Sequence, residues 1–127
     1  MVATKLQAIG LRMEYYQPRT GGRLLALDNV NLSVEEGEFV TIVGPSGCGK
    51  TTFINIADGL LKPTAGKIVL DGKQVEGPGT DRAMVFQSFA LLPWASVVDN
   101  VAFGLELRGV AKSKREATAN ELIELVG

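Results

Sequence analysis

Gly44-Pro45-Ser46-Gly47-Cys48-Gly49-Lys50-Thr51 follows directly on the apolar run Phe39-Val40-Thr41-Ile42-Val43. This is G-x-x-x-x-G-K-[ST] leaving a short buried strand, the spacing of a phosphate-binding loop. Glycines at 44, 47 and 49 let the backbone wrap so that successive N–H groups point inward at an anion. Lys50 supplies a point charge for β- and γ-phosphate oxygens, and the Thr51 hydroxyl is placed to ligate Mg²⁺. Thr52-Phe53-Ile54-Asn55-Ile56-Ala57-Asp58 reads as a helix whose N-terminus adds a positive dipole end. Four fixed positions recur by chance in roughly one chain of this size in a few hundred. With a strand before and a helix after, nucleotide binding is the default reading. A Gly-rich strand-to-helix turn with an incidental lysine is the alternative.

Composition narrows the surroundings of this loop. The 127 residues are one domain's worth, or part of a larger one. A formal net charge of −1 carries no global signal for nucleic acid or an anionic membrane. Cys48 is the only cysteine, which excludes an internal disulfide framework and fits a reducing compartment. No run approaches the roughly 18 apolar residues of a membrane span, and no secretory h-region opens the chain. Together these predict a cytoplasmic protein. With no histidine and one cysteine, no metal site of His or Cys spacing can be built, so any metal arrives with the nucleotide as Mg²⁺.

The pattern along the chain predicts strands before the loop. Lys5–Ile9 and Leu11–Tyr16 form a first strand, Leu24–Leu27 pairs back, and Asp28-Asn29 reads as a turn. Val30–Val34 alternates with period two, as a half-buried strand does. Glu35-Glu36-Gly37-Glu38 turns the chain into Phe39–Val43, apolar enough for a central parallel strand buried on both faces. Lys67–Leu70 leads into the hairpin turn Asp71-Gly72-Lys73, and Ala83–Phe86 is a further apolar strand ending at Gln87. Ser96-Val97-Val98-Asp99 and Ser113-Lys114-Arg115-Glu116 resemble capping boxes, opening helices to about Arg108 and Val126. Gly127 stands where a C-cap glycine would.

Leu27-Asp28-Asn29-Val30-Asn31-Leu32-Ser33-Val34, Gly44–Thr52 and Val85-Phe86-Gln87 closely resemble the ATP-binding subunits of ABC transporters. Leu91-Leu92-Pro93-Trp94 followed by Val98-Asp99-Asn100-Val101 is similar to the nitrate/sulfonate/taurine importer branch. The resemblance covers essentially all 127 residues. It implies an α/β P-loop NTPase fold of the ABC nucleotide-binding type, with an antiparallel β region and a P-loop core sheet with helices. Residues 1–127 would be the N-terminal portion of one such domain.

The implied roles fall on matching positions. Tyr15 matches the aromatic residue that stacks on adenine, with Tyr16 as second candidate and strand-end packing as the alternative for Tyr15. Gly44, Pro45, Ser46, Gly47, Cys48 and Gly49 form the phosphate-binding backbone, Cys48 as a spacer rather than a redox switch. Lys50 pairs β/γ oxygens, Thr51 takes Mg²⁺, and Thr52 also touches phosphate. Gln87 matches the glutamine that senses Mg²⁺ and the attacking water, which makes Lys50 and Gln87 the candidate catalytic residues. A solvated glutamine at a strand end is the alternative for Gln87. Leu91, Leu92, Pro93 and Trp94 correspond to the region meeting the permease's coupling helix, or form a buried staple under the following helix.

ATP and Mg²⁺ are the implied cofactors. The implied partners are transmembrane permease subunits, a second ATP-binding subunit and, indirectly, a solute-binding protein. The implied location is the cytoplasmic face of the cell membrane. Family subunits are typically about twice this length. The sequence contains no Ser-Gly-Gly and no apolar strand ending in Asp-Glu. The expectation is therefore a chain truncated before the signature and Walker B motifs, without the general base.

Two functions from different classes follow: the transport ATPase, and a nucleotide-binding module without turnover. A P-loop kinase or GTPase is a third, opposed by the lack of Asn-Lys-x-Asp. Phe39–Val43 without its neighbour strands would leave apolar surface and an unpaired edge in solvent. These 127 residues alone are therefore expected to aggregate. A sharp, cooperative melt of soluble monomer would contradict that.

Overall fold

The computed structural model describes residues Val2–Gly127, which form two compact units, one ending at Gly79 and the other spanning Thr80–Gly127. The first unit is an antiparallel sheet with one helix against it. Strands β1 (Thr4–Gln17), β2 (Gly22–Glu35), β3 (Ala65–Leu70) and β4 (Lys73–Gln74) lie in the order β2-β1-β3-β4. Helix α1 (Lys50–Asp58) packs Phe53 and Ile56 into a core made by Ala8, Leu11, Met13, Leu27 and Ile68.

The long strands are continuous because each carries a bulge where a break in alternation would otherwise end it. Core-facing residues of β1 are Leu6 and Ala8, then Leu11, Met13 and Tyr15, a switch from even to odd positions. Such a switch needs one extra residue in the strand. It occurs at Gly10 (φ 55°), where the register slips between Ala8 and Leu11. The complementary switch in β2, from Leu27 to Val30 and Leu32, occurs at Asn29 (φ 49°). Asp28-Asn29 is therefore a bulge inside one strand, not the expected turn. The Asn31 side chain ties the two together, accepting from the Gly10 N–H at 2.8 Å and donating to the Asn29 carbonyl at 2.9 Å.

β3 enters this region closely. A Cβ on Gly66 (φ 76°) would lie 2.2 Å from the Gly10 carbonyl oxygen, so only glycine fits. At the other end of β3, Asp71 (φ 48°) and Gly72 (φ 76°) make the expected hairpin turn, shorter by one residue because Lys73 already belongs to β4. On β1, Glu14 joins Arg12 and Arg23. The hydrogen bond from Arg12, then that from Arg23, holds the Glu14 carboxyl below its ordinary range.

Two expected strands do not form. Phe39–Val43 and Ala83–Phe86 have no regular secondary structure, and no strand lies beside either among the described residues. A central parallel strand is stable only with neighbours on both edges. Here Phe39 is 93% and Val85 97% exposed. Of the expected architecture, the antiparallel region and helices are present, and the core sheet around the phosphate loop is not.

The second unit contains helices α2 (Val97–Leu107) and α3 (Lys112–Val126), which bury Ala102 and Ala119. Ser96 caps α2 as expected, its hydroxyl accepting from the Asp99 N–H at 3.1 Å and donating to the Asp99 carboxylate at 2.6 Å. That bond lowers the Asp99 pKa. α3 starts earlier than its expected capping box: Ala111 is its N-cap and Ser113 lies in the first turn. Arg115 bridges the two helices, donating to the Val110 carbonyl and pairing with Glu106.

Gly66→Ala is expected to lower stability by at least about 2 kcal/mol, through a strained φ and the clash with Gly10. Chemical denaturation of the protein as its gene encodes it measures this. An unchanged midpoint would contradict the close approach.

Candidate functional site: a loop closed around Lys50

The loop between Phe39–Val43 and α1 folds back over its own lysine. Lys50 Nζ donates to the carbonyl oxygens of Gly44 at 2.6 Å and Pro45 at 2.8 Å, and lies 3.4 Å from Cys48 Sγ. The loop tightens through a bond from the Cys48 N–H to the Pro45 carbonyl at 3.3 Å. A Cβ on Gly44 would lie 2.6 Å from Cys48 Sγ, so a larger residue there would have to displace that thiol. Gly47 (φ 79°) and Gly49 (φ 98°) supply the left-handed residues that turn the chain into the helix.

Gly49 also fixes the site to the scaffold. It is the N-cap of α1, and a Cβ on it would lie 2.7 Å from the Ala26 carbonyl oxygen and 2.9 Å from Leu27 Cδ2. The helix ladder begins with the Phe53 N–H on the Gly49 carbonyl at 2.9 Å. The N–H groups of the first turn therefore precede the ladder, as at any helix start that receives an anion. Ser46 lies in the exposed outer turn of the loop, and the Thr51 residue is exposed.

Tyr15 and Tyr16 separate cleanly. Tyr15 is half-buried against the core, and its hydroxyl lies 3.1 Å from Thr52 Oγ1. Tyr16 is 67% exposed and sits opposite Arg23 in the ladder. Of the two, Tyr15 is the one that reaches the helix carrying the phosphate loop. It packs against the core, the alternative role expected for it.

An apolar recess of about 320 Å³ adjoins the loop, lined by Leu27, Leu32, Ile42, Val43, Lys50 and Phe53 among others. A larger cavity of about 580 Å³ includes no residue of Gly44–Thr51 and is lined partly by Ile56, Pro63, Ile68 and Val75. The Lys50 loop, not the larger cavity, gathers the residues suited to phosphate.

Gln87 belongs to the second unit, where it is exposed in a bend. In the same unit Trp94 is 81% and Leu91 68% exposed, so these residues do not form the alternative buried staple. The loop that carries them is nonetheless fixed. Asn100 Oδ1 accepts from the Leu92 N–H at 2.8 Å, and Nδ2 donates to the carbonyls of Leu92, Ala95 and Ser96 at 3.2, 3.2 and 2.9 Å. Sequence reasoning assigned Asn100 no role. Its signals were its place in the Val98-Asp99-Asn100-Val101 motif and an amide side chain one residue after a capping box.

The family model for ABC transporters matches residues 27–127, from the second strand through the last helix. The chain belongs to the ABC transporter family. An uncharacterised ABC transporter ATP-binding protein of Methanocaldococcus jannaschii is 56% identical over 107 residues, covering 84% of this chain and 40% of that protein. The taurine import ATP-binding protein TauB of Sinorhizobium fredii is 54% identical over 109 residues, 86% of this chain and 41% of its own. The same-named protein of Pseudomonas syringae pv. tomato is 48% identical over 121 residues, 95% and 45%. The expected likeness to the taurine-type branch is borne out.

A solved ATP-binding cassette, MJ0796 in a dimeric post-hydrolysis state with ADP and Pi, superposes with a TM-score of 0.80 at 31% identity. That match covers 94% of this ABC-family chain and 56% of the cassette. The chain thus spans less than half the length of these curated relatives.

Asn100→Ala is expected to free the 92–96 segment. Hydrogen exchange at the Leu92 amide should then quicken by roughly tenfold or more, for loss of about one buried hydrogen bond and its neighbours. Unchanged exchange would contradict the clamp.

Proposed function

We propose that the protein carrying this chain is the ATP-binding subunit of an ABC importer for a small oxyanion or sulfonate, of the nitrate/sulfonate/taurine type. The observation that carries the nucleotide reading is the Lys50 ammonium held by the carbonyls of Gly44 and Pro45, in a loop turned by left-handed glycines at 47 and 49. An ammonium held by neutral carbonyls exchanges them readily for phosphate oxygens, because a charged acceptor makes the stronger bond. The backbone of Gly44–Gly49 would then cradle the phosphates, with Lys50 at the β/γ oxygens and Thr51 at Mg²⁺. When bound, Mg²⁺ with the nucleotide neutralises charge developing on the transferred phosphoryl group.

The importer reading is supported by relatives named for taurine import. In it, residues 1–127 are the N-terminal portion of one ATP-binding domain, and the protein hydrolyses ATP. It pairs with a second ATP-binding subunit, as the dimeric MJ0796 cassette supports. Gln87 links Mg²⁺ and the attacking water to the permease. Leu91, Leu92, Pro93 and Trp94 meet that permease on the cytoplasmic face of the membrane, with a solute-binding protein delivering the solute. The exposure of Trp94 on a loop clamped by Asn100 supports this, since a rigid aromatic loses little entropy on docking.

Lys50→Ala in the protein as its gene encodes it should weaken MgATP binding by roughly ten- to a hundredfold, the worth of a charged hydrogen-bonding group. Unchanged affinity by calorimetry would reject the loop as the phosphate site. Binding without hydrolysis would leave the non-turnover module as the function.

A further inference from the structure

The Tyr15 hydroxyl has a partner that ordinary helix chemistry does not provide. A threonine inside a helix commonly donates back to the carbonyl four residues earlier. Thr118 in α3 does so, to Lys114 at 3.1 Å. Thr52, on the first turn of α1, has no helical carbonyl four residues earlier; it lies 3.1 Å from the Tyr15 hydroxyl, and either oxygen can be the donor. The Tyr15 ring is held by the core cluster, and its strand by pairing with Leu24. The hydroxyl therefore arrives at Thr52 from a fixed direction.

We propose that Tyr15 is a positioning residue for the phosphate site, acting through Thr52 by a chain of two hydroxyls. This rests on the nucleotide-binding reading above. A phenol is the more acidic of the two hydroxyls and the better donor. With an anion at the helix start, Tyr15 donates to Thr52 Oγ1, and the threonine proton is directed to a phosphate oxygen. Each bond polarises the next, so the threonine donates more strongly than it would alone. The tyrosine thereby contributes to phosphate affinity independently of any stacking of its ring on a base.

The test separates hydroxyl from ring. Tyr15→Phe keeps the ring, and inorganic tripolyphosphate has no base to stack. Affinities for MgATP and tripolyphosphate are measured by calorimetry for the wild-type protein as its gene encodes it, Tyr15→Phe, Thr52→Val, Thr52→Ser and the Tyr15→Phe/Thr52→Val double variant. The expected result is a roughly three- to tenfold loss for both ligands in Tyr15→Phe. That loss should vanish in the Thr52→Val background, and Thr52→Ser, which keeps the hydroxyl, should lose less affinity than Thr52→Val. Wild-type affinity in Tyr15→Phe, a loss for ATP alone, or a loss that persists beside Thr52→Val overturns the proposal. A wild-type protein that binds neither ligand instead overturns the nucleotide-binding reading itself.

Discussion

The contact between Gly49 and the second strand is the constraint on which the site depends. Gly49 ends the phosphate loop, caps α1 and touches the backbone of Ala26 where no side chain could stand. Its positive φ turns the chain so that Lys50 points back over Gly44 and Pro45 while Phe53 and Ile56 enter the core. One residue thus couples burial of the helix to orientation of the loop. Any larger residue there would have to move either the helix or β2, and both would cost core packing. The Tyr15–Thr52 bond is a second tie between the sheet and the same helix turn.

What stands on the other side of the loop is different in kind. Phe39–Val43 carries the apolar sequence of an interior strand without strands beside it among the described residues. Two pairings of the antiparallel sheet join neighbours in sequence across short turns, at Gly21 and at Asp71-Gly72, and the third brings β3 back to β1 from a distant part of the chain. Parallel pairing has no such local route and needs crossover partners. Among the described residues the antiparallel sheet is formed and a parallel core sheet is not.

This difference also sets what the sequence could reveal. The turn of the loop was legible, since Gly47 and Gly49 take the left-handed backbone that their type allows. The Ser96 cap was legible too. The bulges at Gly10 and Asn29 were not, because a change of alternation reads equally well as a strand break. The register slip and the cross-strand bond to Asn31 distinguish the two. Ser113 misled because its spacing to Glu116 is right while Gly109 and Val110 already end the preceding turn, leaving Ala111 to open the helix. The clamp by Asn100 and the bond of Thr52 to Tyr15 escaped because the partners lie eight and 37 positions away.

The central claim is that Gly44–Thr52 is a preformed phosphate site fixed to the antiparallel sheet through Gly49. Backbone amide exchange with and without MgATP, on the protein as its gene encodes it, tests this most directly. The account predicts slowed exchange confined to the Gly47–Phe53 amides and the adjoining end of β1, with β4 unchanged. Exchange in Gly47–Phe53 that is unaffected by millimolar MgATP would contradict it.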